Sequence, residues 1–123
     1  MKIQESAENY LETILILGQK NGNVRSIDIA NELDFSKPSV SVAMKNLRNA
    51  KHILMDRDGY ITLTESGRKI AETIYERHTL LSLWLIRLGV SEKTATEDAC
   101  RIEHVISAES FSAIKKHVAC QAG

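Results

Sequence analysis

The pattern that most constrains this chain is a change of period at residue 51. After it, Ile53-Leu54-Met55 and Tyr60-Ile61-Thr62-Leu63 flank Asp56-Arg57-Asp58-Gly59. Asp-Gly between two short β-prone runs signals a hairpin, because glycine adopts the positive φ such turns require. Before residue 51 the apolar residues recur at helical spacing. Ala7, Tyr10, Leu11, Ile14 and Leu15 give a first helix, about Ser6 to Lys20, its buried stripe, and Asn21-Gly22 ends it. Ser26 is placed to cap a second helix, Ile27 to Leu33, with Ile29, Ala30 and Leu33 inward. After a break at Asp34-Phe35, Ser36 caps a third helix. Pro38 stands in its first turn, where a missing N–H costs nothing, and Val40, Met44 and Leu47 form its apolar side. Helix, short turn, helix, hairpin is the order of a winged helix-turn-helix.

The rest of the chain reads as helix. Thr64 is placed to cap a long one, Glu65 to about Leu88, which Gly89 stops. Leu80 to Leu88 is apolar almost all round, which predicts burial against more than one neighbour. Ser91 opens another helix to about Ser107, and a last short one runs from Ala108 or Glu109 to near His117. The expected fold is mainly α. An N-terminal winged helix-turn-helix with a two-stranded β-wing occupies residues 1–64, and a helical domain occupies 65–123.

With 123 residues the chain holds one ordinary domain, or a small one with a helical annex. Aromatic residues make up 5%, too few for a platform that stacks single-stranded bases. No apolar run reaches a membrane span, and the opening Met1 to Ser6 lacks the pattern of an export signal. Cys100 and Cys120 are therefore expected as reduced thiols, in the cytoplasm. Net charge is zero, but its distribution is uneven. Ser36 to Lys51 carries Lys37, Lys45, Arg48 and Lys51 and no acid. A local patch of this kind matters more for phosphate binding than the total.

Once the apolar side of the third helix is assigned, Ser36, Lys37, Ser39, Ser41, Lys45 and Arg48 remain. A small, polar, basic helix face fits a major groove and meets phosphates. Arg57 at the wing tip is placed for a backbone or minor-groove contact. The bland alternative, a solvated amphipathic helix, explains the charge but not the order of elements. Double-stranded DNA is the expected partner.

A second constellation lies downstream. Cys100, Glu103 and His104 stand at i, i+3 and i+4, so one helix face presents thiol, carboxylate and imidazole together. That mixture suits Fe(II), Mn(II), Co(II) or Zn(II). Ile102 and Ile106 point to the other side. Asn9 and Glu12 repeat the i, i+3 spacing on the first helix, roughly opposite its buried stripe, and His78 falls on an apolar face with Ile74 and Leu81. Singly, each has an ordinary reading: a core histidine, a solvated surface acid at Glu12, a small buried hydrophobe at Cys100. Spacing alone does not bring the three segments together. No oxyanion loop or glycine-rich cradle is present, so an enzyme is not expected.

Here the chain resembles the metal-dependent repressors of the diphtheria toxin repressor and manganese transport regulator type. The likeness runs nearly end to end: SAENYLETI, DIANELDFSKPSVSVAMKNL, GYITLTESGRKIA, ERHTLL and CRIEHVIS. The resemblance implies a homodimer joined through the half after about residue 65, with metal between that half and the first helix. Carried over, Asn9, Cys100, Glu103 and His104 form one site, and Glu12 and His78, with Glu103 shared, form or support a second. Asn9 stands where such proteins usually place Asp or Met. Cys100 matches the iron-responsive branch, while the chain is short like the manganese branch. Fe(II) or Mn(II) is the expected effector, with Co(II), Ni(II) and Zn(II) able to bind in vitro. The implied function is metal-dependent repression of metal-uptake or metal-homeostasis genes from a palindromic operator. The rival is a metal-independent winged-helix regulator that senses redox or a small ligand through Cys100.

Overall fold

The computed structural model describes residues 2–122, with side chains for residues 6–120. The element order is α1 (Lys2–Asn21), α2 (Ser26–Leu33), α3 (Lys37–Asn49), β1 (Ile53–Met55), β2 (Ile61–Leu63), α4 (Glu65–Arg87), α5 (Glu92–Val105) and α6 (Ala108–Ala122). The fold is mainly helical, a winged helix-turn-helix followed by helices, as the period change at residue 51 required.

Local chemistry sets most boundaries. Ser36 is extended and its hydroxyl accepts the Ser39 N–H at 3.3 Å, so it caps α3. Ser91 caps α5 in the same way through Thr94. Thr64 accepts the Gly67 N–H at 3.2 Å at the head of α4. For α2 the expectation is corrected. Arg25, not Ser26, is the N-cap residue: its backbone is extended, and its N–H donates to Asp28 Oδ2 at 2.9 Å. Ser26 is already helical. α6 also runs past His117 to Ala122.

The wing is antiparallel, with Ile53 opposite Leu63, Leu54 opposite Thr62 and Met55 opposite Ile61. Asp56 Oδ1 accepts the N–H groups of Asp58 and Tyr60, both at 2.9 Å, and Gly59 turns the chain at φ +85°. The Ile61 N–H donates to Val24 O at 2.7 Å, tying β2 to the α1–α2 link.

The chain divides into two compact units, one ending at Thr73 and the other beginning at Ile74, within α4. The core of the first unit gathers Leu11, Ile14, Leu15, Ile29, Val40 and Met44 with Ile53, Ile61 and Ala71. Ala71 shows why the first turns of α4 go with the wing. The second unit centres on Leu81, Ala99 and Phe111, packed by Trp84, Ile102, Ile106 and Ile114. Within one chain, Leu80 to Leu88 is covered on one side only. Leu83, Ile86 and Leu88 are 42%, 40% and 64% exposed, because the neighbours within this chain cover one side of the helix. No helix among the described residues is long and apolar enough to cross a membrane.

Candidate functional site

In the second unit, the α5 face carrying Cys100, Glu103 and His104 meets His78 of α4. Glu103 is wholly buried. Its Oε2 lies 3.1 Å from His78 Nδ1 and its Oε1 lies 3.4 Å from His104 Nε2, so the carboxylate stands between two imidazoles. These contacts have ion-pair reach without hydrogen-bond geometry, and neither oxygen forms a hydrogen bond among the described residues. Cys100 completes the group: one donor atom each from His78, Cys100 and Glu103 lie within 4.8 Å of one another. The thiol residue is exposed while the carboxylate is not, so the cluster opens to solvent on the Cys100 side.

A carboxylate held away from water without hydrogen bonds is costly unless a cation or proton compensates it. Nitrogen, sulfur and oxygen donors converging on one point are the ligand set of a transition-metal ion. The residues present therefore fit a divalent metal. Spacing on α5 anticipated three of these four residues. It did not anticipate that His78 shares its space with Cys100; on the residues carried over, His78 belonged with Glu12 in a separate set.

Arg77, which the sequence reading missed, fixes the end of α5. Its Nη1 donates to Glu103 O at 3.2 Å and Ile106 O at 3.1 Å, and the guanidinium lies 5.6 Å from the Phe111 ring centre. Both carbonyls belong to the last turn, where intrahelical donors run out. Only adjacency to His78 could have pointed to it.

Asn9 and Glu12 lie in the first unit. Asn9 is half-buried, and its carbonyl accepts the Thr13 hydroxyl at 2.9 Å. Glu12 is 6% exposed, which corrects the reading of a solvated surface acid. Helix α1 buries more than a single stripe: Leu11 through Leu15 are all buried.

On α3, Ser36, Lys37, Ser39, Ser41, Lys45 and Arg48 are all exposed, with Val40, Met44 and Leu47 in the core beneath them. The Ser36 hydroxyl donates to Ser39 Oγ at 2.8 Å, so these two serines are partly committed to the cap. Arg57 is exposed in the wing loop. Arg25 was also missed. It stacks 4.7 Å above the Tyr60 ring and donates to Asp58 O, bracing the base of that loop.

Two family descriptions together match nearly the whole chain. The family description "Iron dependent repressor, N-terminal DNA binding domain" matches residues 2–68. "Iron dependent repressor, metal binding and dimerisation domain" matches residues 64–119. An HTH-type transcriptional regulator of Methanocaldococcus jannaschii, MJ0568, is 32% identical over 115 residues, 92% of each chain. The HTH-type transcriptional regulator MntR of Geobacillus kaustophilus is 35% identical over 102 residues, 83% of this chain and 72% of its own. The solved structure of the manganese regulator SloR superposes with a TM-score of 0.81 at 26% identity. That match covers 91% of this chain and 53% of SloR, so this chain spans about half its length.

Proposed function

The chain belongs to the iron-dependent repressor family of metal-dependent, DNA-binding transcriptional regulators, and from that premise we propose how it is controlled. It acts in the cytoplasm as a homodimer that binds a palindromic operator when Fe(II) or Mn(II) is held by His78, Cys100, Glu103 and His104. It represses genes of metal uptake or homeostasis and catalyses no reaction. The single observation that carries this reading is the buried Glu103 carboxylate, without a hydrogen bond and faced by two imidazole nitrogens and a nearby thiol.

A divalent ion bound there supplies the positive charge that lets these donors occupy one space. The chain's own residues do the rest. His78 presents Nδ1 and His104 presents Nε2, each toward a different oxygen of Glu103. Cys100 offers Sγ from the open side and must lose its proton to bind. A thiolate favours Fe(II) over Mn(II), which prefers oxygen ligands, so Fe(II) is the preferred effector. For Asn9 and Glu12 the family resemblance alone supports a ligand role, which metal stoichiometry of Glu12→Gln tests.

Lys37, Lys45, Arg48 and Arg57 serve phosphates, and Ser41 faces base edges. The exposed Leu83, Ile86 and Leu88 favour association through the second unit, since water-facing leucines gain by pairing. A two-fold dimer then addresses half-sites roughly 34–36 Å apart, or multiples of that spacing.

The decisive experiment is anaerobic titration of the reduced protein with Co(II), following the near-ultraviolet thiolate-to-metal band in wild type and Cys100→Ser. A saturable band absent from the variant is expected. Binding without a band would move the metal to nitrogen and oxygen ligands alone, and no binding would remove the metal site. Because Cys100 is exposed, a metal-independent redox regulator is the second reading. It requires DNA binding that a chelator leaves unchanged.

A further inference from the structure

Resting on the DNA-binding reading, the geometry points to Val42 as a sequence-reading residue that contacts the 5-methyl group of a thymine in the major groove. Val42 is 60% exposed in the middle of α3. One turn back on the same face stand Pro38 and Ser39, and one turn ahead stand Lys45 and Asn46, all exposed. The helix is buried through Val40, Met44 and Leu47, so Val42 contributes nothing to the core.

A β-branched residue on an exposed helix face is a poor choice for the helix itself. It loses rotamer freedom there and leaves most of its surface in water. Exposed apolar residues are common and singly mean little. Position is what distinguishes this one. The remaining exposed groups near it are serines, which accept any base, cations, which serve phosphates, and Asn46, whose amide reads hydrogen-bonding edges and not a methyl group. The only other apolar exposed group beside it, Pro38, is accounted for by its place in the first turn. Val42 ends in two methyl groups where the helix would meet base edges. In the major groove the one apolar feature of a base pair is the thymine 5-methyl.

The test uses the Co(II)-loaded full chain. Duplexes are first selected from a randomised pool, and each thymine of the selected duplex is then replaced singly by uracil. Uracil pairs like thymine and lacks only the methyl group. At one thymine per half-site, uracil should weaken wild-type binding by about fourfold, the worth of one buried methyl. Val42→Ala should show the same loss on the thymine duplex and no further loss with uracil. Since Val42 is exposed, this variant should melt like wild type. A uracil scan flat at every position, or losses that multiply in the variant, overturns the inference. So does binding with no sequence enriched from the pool, which leaves DNA binding itself standing. Absence of any duplex binding at low salt overturns the DNA-binding reading, and this inference with it.

Discussion

Arg77 Nη1 donates to the carbonyls of Glu103 and Ile106, two acceptors that the last turn of α5 leaves without intrahelical donors. The neighbouring residue, His78, brings Nδ1 to 3.1 Å from Glu103 Oε2. One turn of α4 therefore supplies a donor to the cluster and also fixes the backbone of the facing donor. On the proposed metal site Arg77 is a positioning residue: it touches the backbone carbonyl of Glu103, not its carboxylate. Replacing it with Met keeps most of the stem that packs near Phe111 and removes the charge. Arg77→Met should weaken Co(II) binding by roughly tenfold, the usual effect of losing an outer hydrogen bond to a metal site. It should lower stability by about 1–2 kcal/mol, since a charged donor is lost from a partly exposed place. Competition with a chelating indicator reads the first effect and urea unfolding the second. Lost stability with unchanged metal affinity would make Arg77 a helix anchor and nothing more.

The approach of α4 to the wing depends on a missing side chain. A Cβ at Gly67 would lie 2.0 Å from His52 O, a backbone atom that cannot swing away. That carbonyl also accepts the Thr64 N–H at 3.1 Å, so α4 begins pressed against the strand lead-in. Gly67→Ala should cost on the order of 3 kcal/mol, the upper range for overpacking, read as a lower urea midpoint. Ala at Gly22, where no atom lies within 4 Å, should cost about 1 kcal/mol through its positive φ alone. Equal losses at the two positions would sink this account of Gly67. The second half of α4 makes the opposite case. Leu83 is exposed, so Leu83→Glu should leave the folded monomer intact yet raise the monomer–dimer dissociation constant at least tenfold by sedimentation. An unchanged constant would place the dimer contact elsewhere. These elements also show what a sequence discloses. The Asp58-Gly59 hairpin, the Ser36 cap and the Cys100-Glu103-His104 face depend on neighbours within four residues, and all were legible. Burial of Glu12, exposure of Leu83 and the work of Arg77 depend on segments distant in sequence, which no local period records. The Arg25 cap was missed for a different reason: the bond that the Arg25 N–H donates to the Asp28 carboxylate won over the hydroxyl at Ser26.

At the scale of the whole molecule, the two chemistries lie in different compact units. His78, Cys100, Glu103 and His104 follow residue 74, while α3 and the wing precede residue 73. Zero net charge removes long-range attraction as the means of control, so phosphate binding rests on the acid-free stretch from Ser36 to Lys51. Metal dependence then requires that binding at one unit changes the free energy of binding at the other. Such coupling is commonly about 1–3 kcal/mol, or 5–150-fold in affinity. Linkage makes it reciprocal: whatever factor Co(II) adds to operator affinity, the operator must add to Co(II) affinity. Two titrations on the same protein measure the two factors independently. One follows a labelled duplex at zero and saturating Co(II); the other follows the cobalt band with and without saturating duplex. Equal factors above fivefold are expected. A large effect of Co(II) on DNA binding with none of DNA on Co(II) would mean that the ion acts outside the His78, Cys100 and Glu103 cluster, for instance by bridging protein to phosphate. His104→Ala separates the cases, because it should abolish both factors if the cluster is the sensor and neither if it is not.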